Sequence, residues 1–580
     1  MTNKLNLSRR QLFGAAGGIL GTAALSSLPT QAGVVEQNPR KAAPGEFTVE
    51  QHKTDVLIIG GGMAGLFAAV NAHDNGAHVT MVSKGRLGAS GLTPHAKRFY
   101  SFDKDNSTMS VDDFVKNISK SSVYTNNPVF TRQLAEHSAE RIYDLKKWGF
   151  FNSPLYNESF MRPINEREIP LHERVMITHL LKEKGRVVGA SGFSLNENKV
   201  IHFHTKTTIL CTGAGAFKPN GYPISDLTHD GTIMAYKIGA KVTGKEWNDG
   251  RLTTAEDSGS SYDNWNGRTE QMPSVIAEDI TYHHSMALNY EAYTKGGPVT
   301  ARTPEKMEHT SEDDAPHAPE GYRSFDPAPA PDETGGLLGL TKNMTSTAPD
   351  PNRELVGGST AGMAMHKAEG LVPIDEAGLT TLPGLYAAGD ALGSYMQGCI
   401  FNQMGAPITG SAVQGAIAGE AAAKASKDAK DLFASHQQLK RVQQEMLAPL
   451  VRERGYSPAW VTQVLQGVMI PNFVLYMKKE RMMQGALAYV EELRDHHVPM
   501  LVADDLHRLR LAHETENMII TAEMKLKASI MRTESRCGHY RLDYPEVDIE
   551  NWQAWINMWQ DEKGGMQFEK QNFDAWPASG

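Results

Sequence analysis

The clearest early pattern in the chain is a short apolar strand, a glycine turn and a helix in direct succession. Asp55-Val56-Leu57-Ile58-Ile59 is an apolar, β-branched run of the kind that a buried parallel strand requires. Gly60-Gly61-Gly62-Met63-Ala64-Gly65 follows at once, Leu66 to Asn75 then reads as a helix, and Gly76-Ala77-His78 turns into a second strand over Val79 to Val82. Thr207 to Cys211 is a further strand, ending in the glycine turn Thr212-Gly213-Ala214-Gly215. Leu382 to Ala388 is another, ending in Gly389-Asp390 and followed by glycine-rich chain and a helix from Gly410 to Ala425. Two distant segments that each end a strand in glycine predict one nucleotide-binding fold interrupted by an insertion.

The chain before Asp55 reads differently. Ser8-Arg9-Arg10-Gln11-Leu12-Phe13 precedes a small-residue, weakly apolar run from Gly14 to Leu28, and Thr30-Gln31-Ala32 offers a small-residue cleavage site. This is the pattern of a twin-arginine signal peptide over residues 1–32, which predicts a periplasmic protein exported in the folded state. Residues 33–53, polar with Pro and Ala, read as a linker. No later run reaches the ~18 apolar residues of a membrane helix, so the mature chain is predicted to have no membrane span.

The first glycine turn has the spacing G-x-G-x-x-G between a strand and a helix, the arrangement that binds a dinucleotide. Gly60 makes the tight turn, Gly62 lets a pyrophosphate approach the backbone, and Gly65 lets helix and strand pack closely. The unpaired N–H groups of the helix start face the phosphates. Ser83-Lys84 stands where an acidic residue commonly closes the second strand, and a hydroxyl there still bonds a ribose.

Composition narrows the chemistry. The 580 residues are 40% hydrophobic, enough for more than one domain, and the formal net charge of −9 comes without a basic stripe, which argues against nucleic acid as a partner. The only cysteines are Cys211, Cys399 and Cys537, far apart and fewer than the four thiolates an iron–sulfur cluster normally takes. His283-His284 and His496-His497 lack metal-ligand spacing, and no metal site is expected. Electrons therefore leave or enter through another molecule.

The order of these pieces resembles the succinate dehydrogenase/fumarate reductase flavoprotein family. The resemblance runs from Thr54 to Trp552 and rests on GGGMAGLFAA (60–69), TTILCTGAGAF (207–217), THDGTIMAYKIGA (228–240), LPGLYAAGD (382–390) and MRTESRCGHYRLDYPEVDIENW (531–552). Within the family the chain looks most similar to the adenylylsulfate reductase alpha branch, through RVMITHLLKEKGRVVGASGF (174–193) and MRTESRCGHYRLDYP. The resemblance implies an α/β fold: a Rossmann-type FAD-binding domain in two parts (54–244 and 356–429), interrupted by a capping domain (245–355), then a helical C-terminal domain (430–530) and a tail (531–580). It implies FAD held by Gly60, Gly62, Met63, Ala64, Gly65, Ser83, Lys84, Ser90, Thr212, Gly213, Asp230, Gly389 and Asp390, with the aspartate of the Gly-Asp pair on a ribityl hydroxyl.

Departures from that family shape the functional reading. Covalently flavinylated members attach FAD through a His in a Ser-His-Thr run; here the place is Ser90-Gly91-Leu92, so FAD is expected to bind without a covalent bond. Dicarboxylate-binding members use two histidines and an arginine as a clamp. Ungapped counting from Glu246 puts the first at Arg251, counting back from Gly357-Gly358 puts the second at Arg353, and counting back from Gly415 puts the arginine at Asn402. Arg251, Arg353 and Asn402 are therefore the candidate substrate residues, with structural ion pairs as the other reading of the two arginines. Trp247 is either a stacking residue or core. The Pro- and acid-rich stretch 310–353 is either a surface excursion of the cap or a lid.

The expected function is an exported FAD-dependent oxidoreductase that exchanges a hydride with a small anionic or carbonyl-bearing molecule, with an iron–sulfur or cytochrome protein as electron partner. The other reading is a flavin-bearing electron-transfer subunit of a complex with an iron–sulfur protein.

Overall fold

In the computed structural model of the protein, the described residues are 36–37, 47–95, 99–102, 104, 109–152, 156–218, 226–248, 253–254, 299–300, 322–325, 354–356, 364, 366–399, 405–469, 472–475 and 477–576. The twin-arginine segment and most of 245–355 lie outside them.

The centre is a seven-stranded sheet. Strand β1 (Thr48–Ile59) lies between β2 (Val79–Ser83) and β7 (Lys199–Leu210), parallel to both. On the β2 side the sheet ends in the parallel strand β4 (Leu171–Glu173). On the other side β6 (Arg186–Ser194) and β5 (Val175–Glu183) run antiparallel, against the first half of β7. The second half of β7 takes β10 (Leu385–Ala387) in parallel, with Leu385 opposite Thr208. The segment ending in Gly389-Asp390 thus returns to the same sheet after the insertion, as an interrupted Rossmann-type fold requires.

β1 begins at Thr48, inside the stretch expected to be linker. Its outer half is largely exposed, so it lacks the apolar signal of a buried strand; what makes it a strand is the ladder with β7, in register from Thr48 opposite Lys199.

Helix α1 (Met63–Asp74) packs on this sheet and is buried almost all round. Against it lies α6 (Ala406–Asp428), and the two backbones meet at glycines. A Cβ on Gly415 would stand 2.2 Å from the Ala64 carbonyl oxygen, and one on Gly419 2.4 Å from that of Ala68. Strand β3 (Phe99–Phe102) and helices α2 (Val111–Ser121), α3 (Pro128–Lys147) and α4 (Tyr156–Glu166) complete this side, and Tyr322–Phe325 pairs with β3. Three short strands, Thr253–Thr254, Val299–Thr300 and Glu354–Val356, form a small sheet within the insertion.

Helix α5 (Asp230–Lys237) leads to β8 (Val242–Thr243), which joins a second sheet with β9 (Gly370–Leu371), β11 (Ala554–Gln560) and β12 (Met566–Asn572). The last part of the chain, expected as a tail, is therefore a hairpin that pairs Asn557 with Thr243. Between these lie the helices α7 (His436–Val451), α8 (Pro458–Met469), α9 (Glu480–Glu492) and α10 (Leu506–Met531). Helix α10 carries charged side chains into the interior, among them Glu514, Glu523 and Lys525.

Candidate functional site

The site is built where β1, β7 and β10 end. At Gly60 φ is +122°, and a Cβ would lie 2.1 Å from the Cys211 carbonyl oxygen, so only glycine turns the chain there. At Gly65 a Cβ would lie 1.9 Å from the Gly60 carbonyl oxygen, which is the close approach of helix to strand expected from the motif. Gly62 differs: a Cβ there would meet only Thr93 Oγ1, at 3.2 Å. The space in front of the turn is open. The start of α1 has no side-chain cap, and its first turn carries no acidic side chain. The Met63 N–H donates to Thr93 Oγ1 at 3.1 Å, while Ala64 and Gly65 carry the remaining amides of the first turn. This is an anion site by geometry and dipole.

Beside it stands the second glycine turn. Thr212 Oγ1 is buried and finds no hydrogen-bond partner among the described residues, and a Cβ on Gly231 would come within 2.1 Å of it. A buried hydroxyl without a partner is costly unless a ligand supplies one. The third piece is Gly389-Asp390, whose Gly389 has φ +68° and whose N–H donates to Gln414 Oε1 at 3.2 Å. Gln414 Nε2 is buried and also without a partner among the described residues. Asp390 accepts from Lys367 Nζ at 2.9 Å and faces His366 Nδ1 at 3.2 Å. Although burial opposes the charge, these two partners hold the Asp390 carboxyl well below the usual carboxylate range. An ionised carboxylate has acceptor sites to spare for a hydroxyl.

The fourth piece is the end of β2. Ser83 is buried, and Lys84 Nζ bonds Asp230 Oδ2 at 2.6 Å and Glu514 Oε1 at 2.8 Å. Beside them opens a cleft of about 490 Å³ lined by Lys84, Arg86, Ser90, Arg174, Asp226 and Arg510, among others. It lies where the ribose of a dinucleotide sits in this class of fold. The Ser90 hydroxyl donates to the Arg86 carbonyl at 3.2 Å, and the Gly91 N–H donates to Asp226 Oδ2 at 3.2 Å. Contacts link these pieces: a Cβ on Gly389 would meet Ala64, one on Gly61 would meet Ser83, one on Gly231 would meet Thr212, and Asp230 is joined to the cleft through Lys84.

The three expected substrate residues, Arg251, Arg353 and Asn402, lie outside the described residues. The spacing that pointed to Arg353 gives a described residue when stepped back from Gly370 instead: it falls on His366, beside Asp390. In the sequence the Gly357-Gly358 pair and Gly370 compete as the landmark for that spacing.

Trp247 is core. It is fully buried, with the Arg532 guanidinium 4.6 Å above its ring and His539 edge-on at 6.0 Å. Around it runs a buried charge network. Glu369 bonds Lys245 and Lys525, each at 2.6 Å, and faces His229 at 3.3 Å. Against a burial cost, these cations hold the Glu369 carboxyl down to about 2. Arg532 bonds Glu246 and Glu534. Lys478 Nζ meets only the Glu246 carbonyl and His539 Nδ1 among the described residues, and burial drives its amine well below the usual lysine range. All three cysteines are buried and free, and burial pushes their thiols up, Cys537 to about 12.

Fold and cradle together define an FAD-dependent oxidoreductase. Residues 55–219 match the family described as FAD dependent oxidoreductase, and residues 462–578 match the one described as Fumarate reductase flavoprotein C-term. The chain thus carries an FAD dependent oxidoreductase domain near its start and a Fumarate reductase flavoprotein C-term domain near its end. It is 26% identical to a fumarate reductase (CoM/CoB) subunit of Methanothermobacter marburgensis, over 86% of this chain and 96% of that one. It is also 26% identical to an uncharacterized FAD-dependent oxidoreductase of Methanocaldococcus jannaschii, over 90% and 99%. Among solved structures, adenylylsulfate reductase from Archaeoglobus fulgidus superimposes with a TM-score of 0.69 at 21% identity, covering 94% of this chain and 98% of that one. That last likeness is one of fold.

The residues fit FAD. The open amides of α1 and Gly62 suit its pyrophosphate, Asp390 its ribityl chain, Thr212 Oγ1 a further polar atom, and the basic cleft its adenosine. When bound, FAD supplies hydride and electron transfer. The protein's part is to hold and orient it and to keep Asp390 ionised through His366 and Lys367.

Proposed function

We propose that this is an exported oxidoreductase that uses non-covalently bound FAD to exchange a hydride with a small anionic or carbonyl-bearing molecule, and that relays electrons to or from a separate iron–sulfur or cytochrome protein. The observation that carries the reading is the convergence of the uncapped start of α1, the unpartnered Thr212 hydroxyl and the Asp390–Lys367–His366 cluster where β1, β7 and β10 end. Arg251 and Arg353 are assigned to the substrate, because a planar guanidinium binds an anion or carbonyl in a fixed geometry. His366 is added to them as a donor beside the ribityl-binding carboxylate.

The separate electron partner rests on cysteine count. Three buried, separated thiols fall short of the four that a cluster takes, so this chain holds no iron–sulfur cluster of its own. Export rests on Arg9-Arg10 and the run after it. No helix among the described residues is long and apolar enough to cross a membrane.

The experiment is a substrate panel assayed with FAD-loaded protein and reduced or oxidised viologen as the artificial carrier. Turnover on one small anion supports the enzyme reading. Inactivity across the panel together with rapid electron exchange with a ferredoxin favours the electron-transfer subunit. Export is tested by replacing Arg9-Arg10 with lysines and fractionating cells; unchanged periplasmic recovery would refute the twin-arginine route.

A further inference from the structure

Helix α10 belongs to the helical region, yet its Arg510 lines the adenosine cleft and two more of its side chains bond Lys84 and Asp230 beside it. Glu514 is buried, with one oxygen on Lys84 at 2.8 Å, the other on Lys218, and Arg510 at 3.7 Å. One helical turn on, Asn517 Nδ2 donates to Asp230 Oδ1 at 2.9 Å. Lys84 closes the ring by bonding Asp230 as well. Lys84 follows β2, Lys218 follows the second glycine turn, and Asp230 starts α5. Three separate segments of the FAD-binding domain therefore converge on one helix that lies outside it.

Charge explains why Glu514 is central. Lys84, Lys218 and Arg510 all meet the Glu514 carboxylate, and without it the one ion pair left to them among the described residues is Lys84–Asp230. Lys218 already feels Lys84 as a repulsive neighbour, with burial as the larger cause of its lowered basicity. The same cations, against the cost of burial, bring the Glu514 carboxyl down to about 2, so it is ionised at any working pH. An uncharged side chain there frees Lys84 to leave the cleft and pushes the Lys218 turn away.

We infer that Glu514 is a positioning residue for the adenosine half of FAD, holding Lys84 and the Lys218 turn at the cleft so that cofactor binding and the docking of α10 are one coupled equilibrium. The inference rests on the placement of adenosine beside Lys84. Reciprocity then requires that binding at the cleft stabilise α10 by the same free energy with which α10 tightens binding.

The test uses full-length apoprotein and ADP, which carries the adenosine end alone. Lys84→Met tests the placement: ADP affinity is expected to fall about tenfold, roughly the loss of one charge-assisted bond. Glu514→Gln is expected to weaken ADP by a similar factor, and the double variant to be little worse than either single one. Glu516→Gln is the control, since Glu516 sits on the same helix but pairs with Lys237, half-buried and away from the cleft lining; it should change ADP affinity less than about twofold, the scale of coupling between independent sites. Amide exchange should slow in α10 when ADP binds to the parent protein, and not in Glu514→Gln.

If Lys84→Met leaves ADP binding unchanged, the placement fails and the inference with it. If Lys84→Met weakens ADP but Glu514→Gln does not, or if the Glu514 and Glu516 variants weaken it equally, Glu514 is only a packing residue. Should Glu514→Gln fail to fold, Asn517→Ala probes the same ring through Asp230. A severalfold loss of ADP affinity supports the inference, and unchanged affinity overturns it.

Discussion

Lys367 and Asp390 form an ion pair with Nζ and Oδ1 2.9 Å apart, and the lysine side chain is wholly shut off from water. Burial lowers the basicity of Lys367 and Asp390 opposes that, while Lys367 and His366 hold the Asp390 carboxyl well below the usual carboxylate range. Removing one partner leaves the other charged and unpaired. Asp390→Asn is therefore expected to lose about 3–5 kcal/mol of stability along with FAD. The double variant Asp390→Asn/Lys367→Met should regain most of the thermal stability but not the flavin. Recovery of FAD in the double variant would show that Asp390 only neutralises Lys367.

Two glycines of the same motif should fail in different ways. Gly65→Val places a side chain against the Gly60 carbonyl and is expected to prevent folding. Gly62→Val meets only Thr93 Oγ1, so the apoprotein should fold and the flavin should be absent. Far-ultraviolet circular dichroism and the visible flavin spectrum separate the two outcomes. A yellow, stable Gly62→Val protein would place the pyrophosphate elsewhere.

Gly91 offers no nucleophile for flavin attachment, and its backbone N–H is engaged with Asp226. Acid precipitation of the holoprotein should release all the yellow colour into the supernatant. Flavin retained on the pellet after washing would contradict non-covalent binding.

Ungapped counting along the sequence puts Asn402 where dicarboxylate-binding flavoproteins of this type carry a clamp guanidinium, and on that count fumarate and succinate are expected to be poor substrates. A carboxylate entering a closed site loses its water and needs a charged partner, worth about 1.5–3 kcal/mol per charge-assisted bond. Reduced viologen with fumarate, and succinate with an artificial acceptor, measure this directly. Turnover faster than about one per second, an ordinary enzyme rate, would show that the clamp is rebuilt from other residues, with His366 the first to test.

Acid should destabilise the fold in two stages. His202, His229 and His513 are neutral in the fold because burial lowers them to about 4, 3 and 4 from the 6.5 of the open chain. Between pH 6.5 and those values the unfolded chain binds more protons than the folded one, so stability falls as pH falls. Glu369 and Glu514, held near 2 against 4.5, add a second loss from pH 4.5 downward. The Tm of the apoprotein should decline from pH 7 to 4.5, and His513→Gln should make the decline shallower. A flat profile would mean that these histidines are hydrated.

The strand, glycine turn and helix at 55–75 could be read from the sequence because their signals are local: β-branched residues in a run, glycines at fixed offsets, an apolar helix after them. The outer half of β1 could not, since its polar residues become a strand only by pairing with β7. His366 was passed over because two glycine landmarks compete for the same spacing, and only the pairing of β9 with β8 identifies Gly370 as a strand residue. The ring around Glu514 has no sequence signature at all. Lys84 and Glu514 stand 430 positions apart; the end of the second strand points to Lys84, while Glu514 alone reads as an ordinary surface charge.

The pairing of Asn557 with Thr243 and the reach of Glu514 to Lys84 bear on how the protein is made. On a translating ribosome, the first glycine turn emerges long before the residues that complete its surroundings. Until α10 has cleared the exit tunnel the adenosine cleft lacks one wall, and until the final hairpin follows, β8 has no partner on that side. Cofactor loading is thus an event of the released chain. A nascent polypeptide stalled before Leu506 would be expected to remain colourless however much FAD surrounds it.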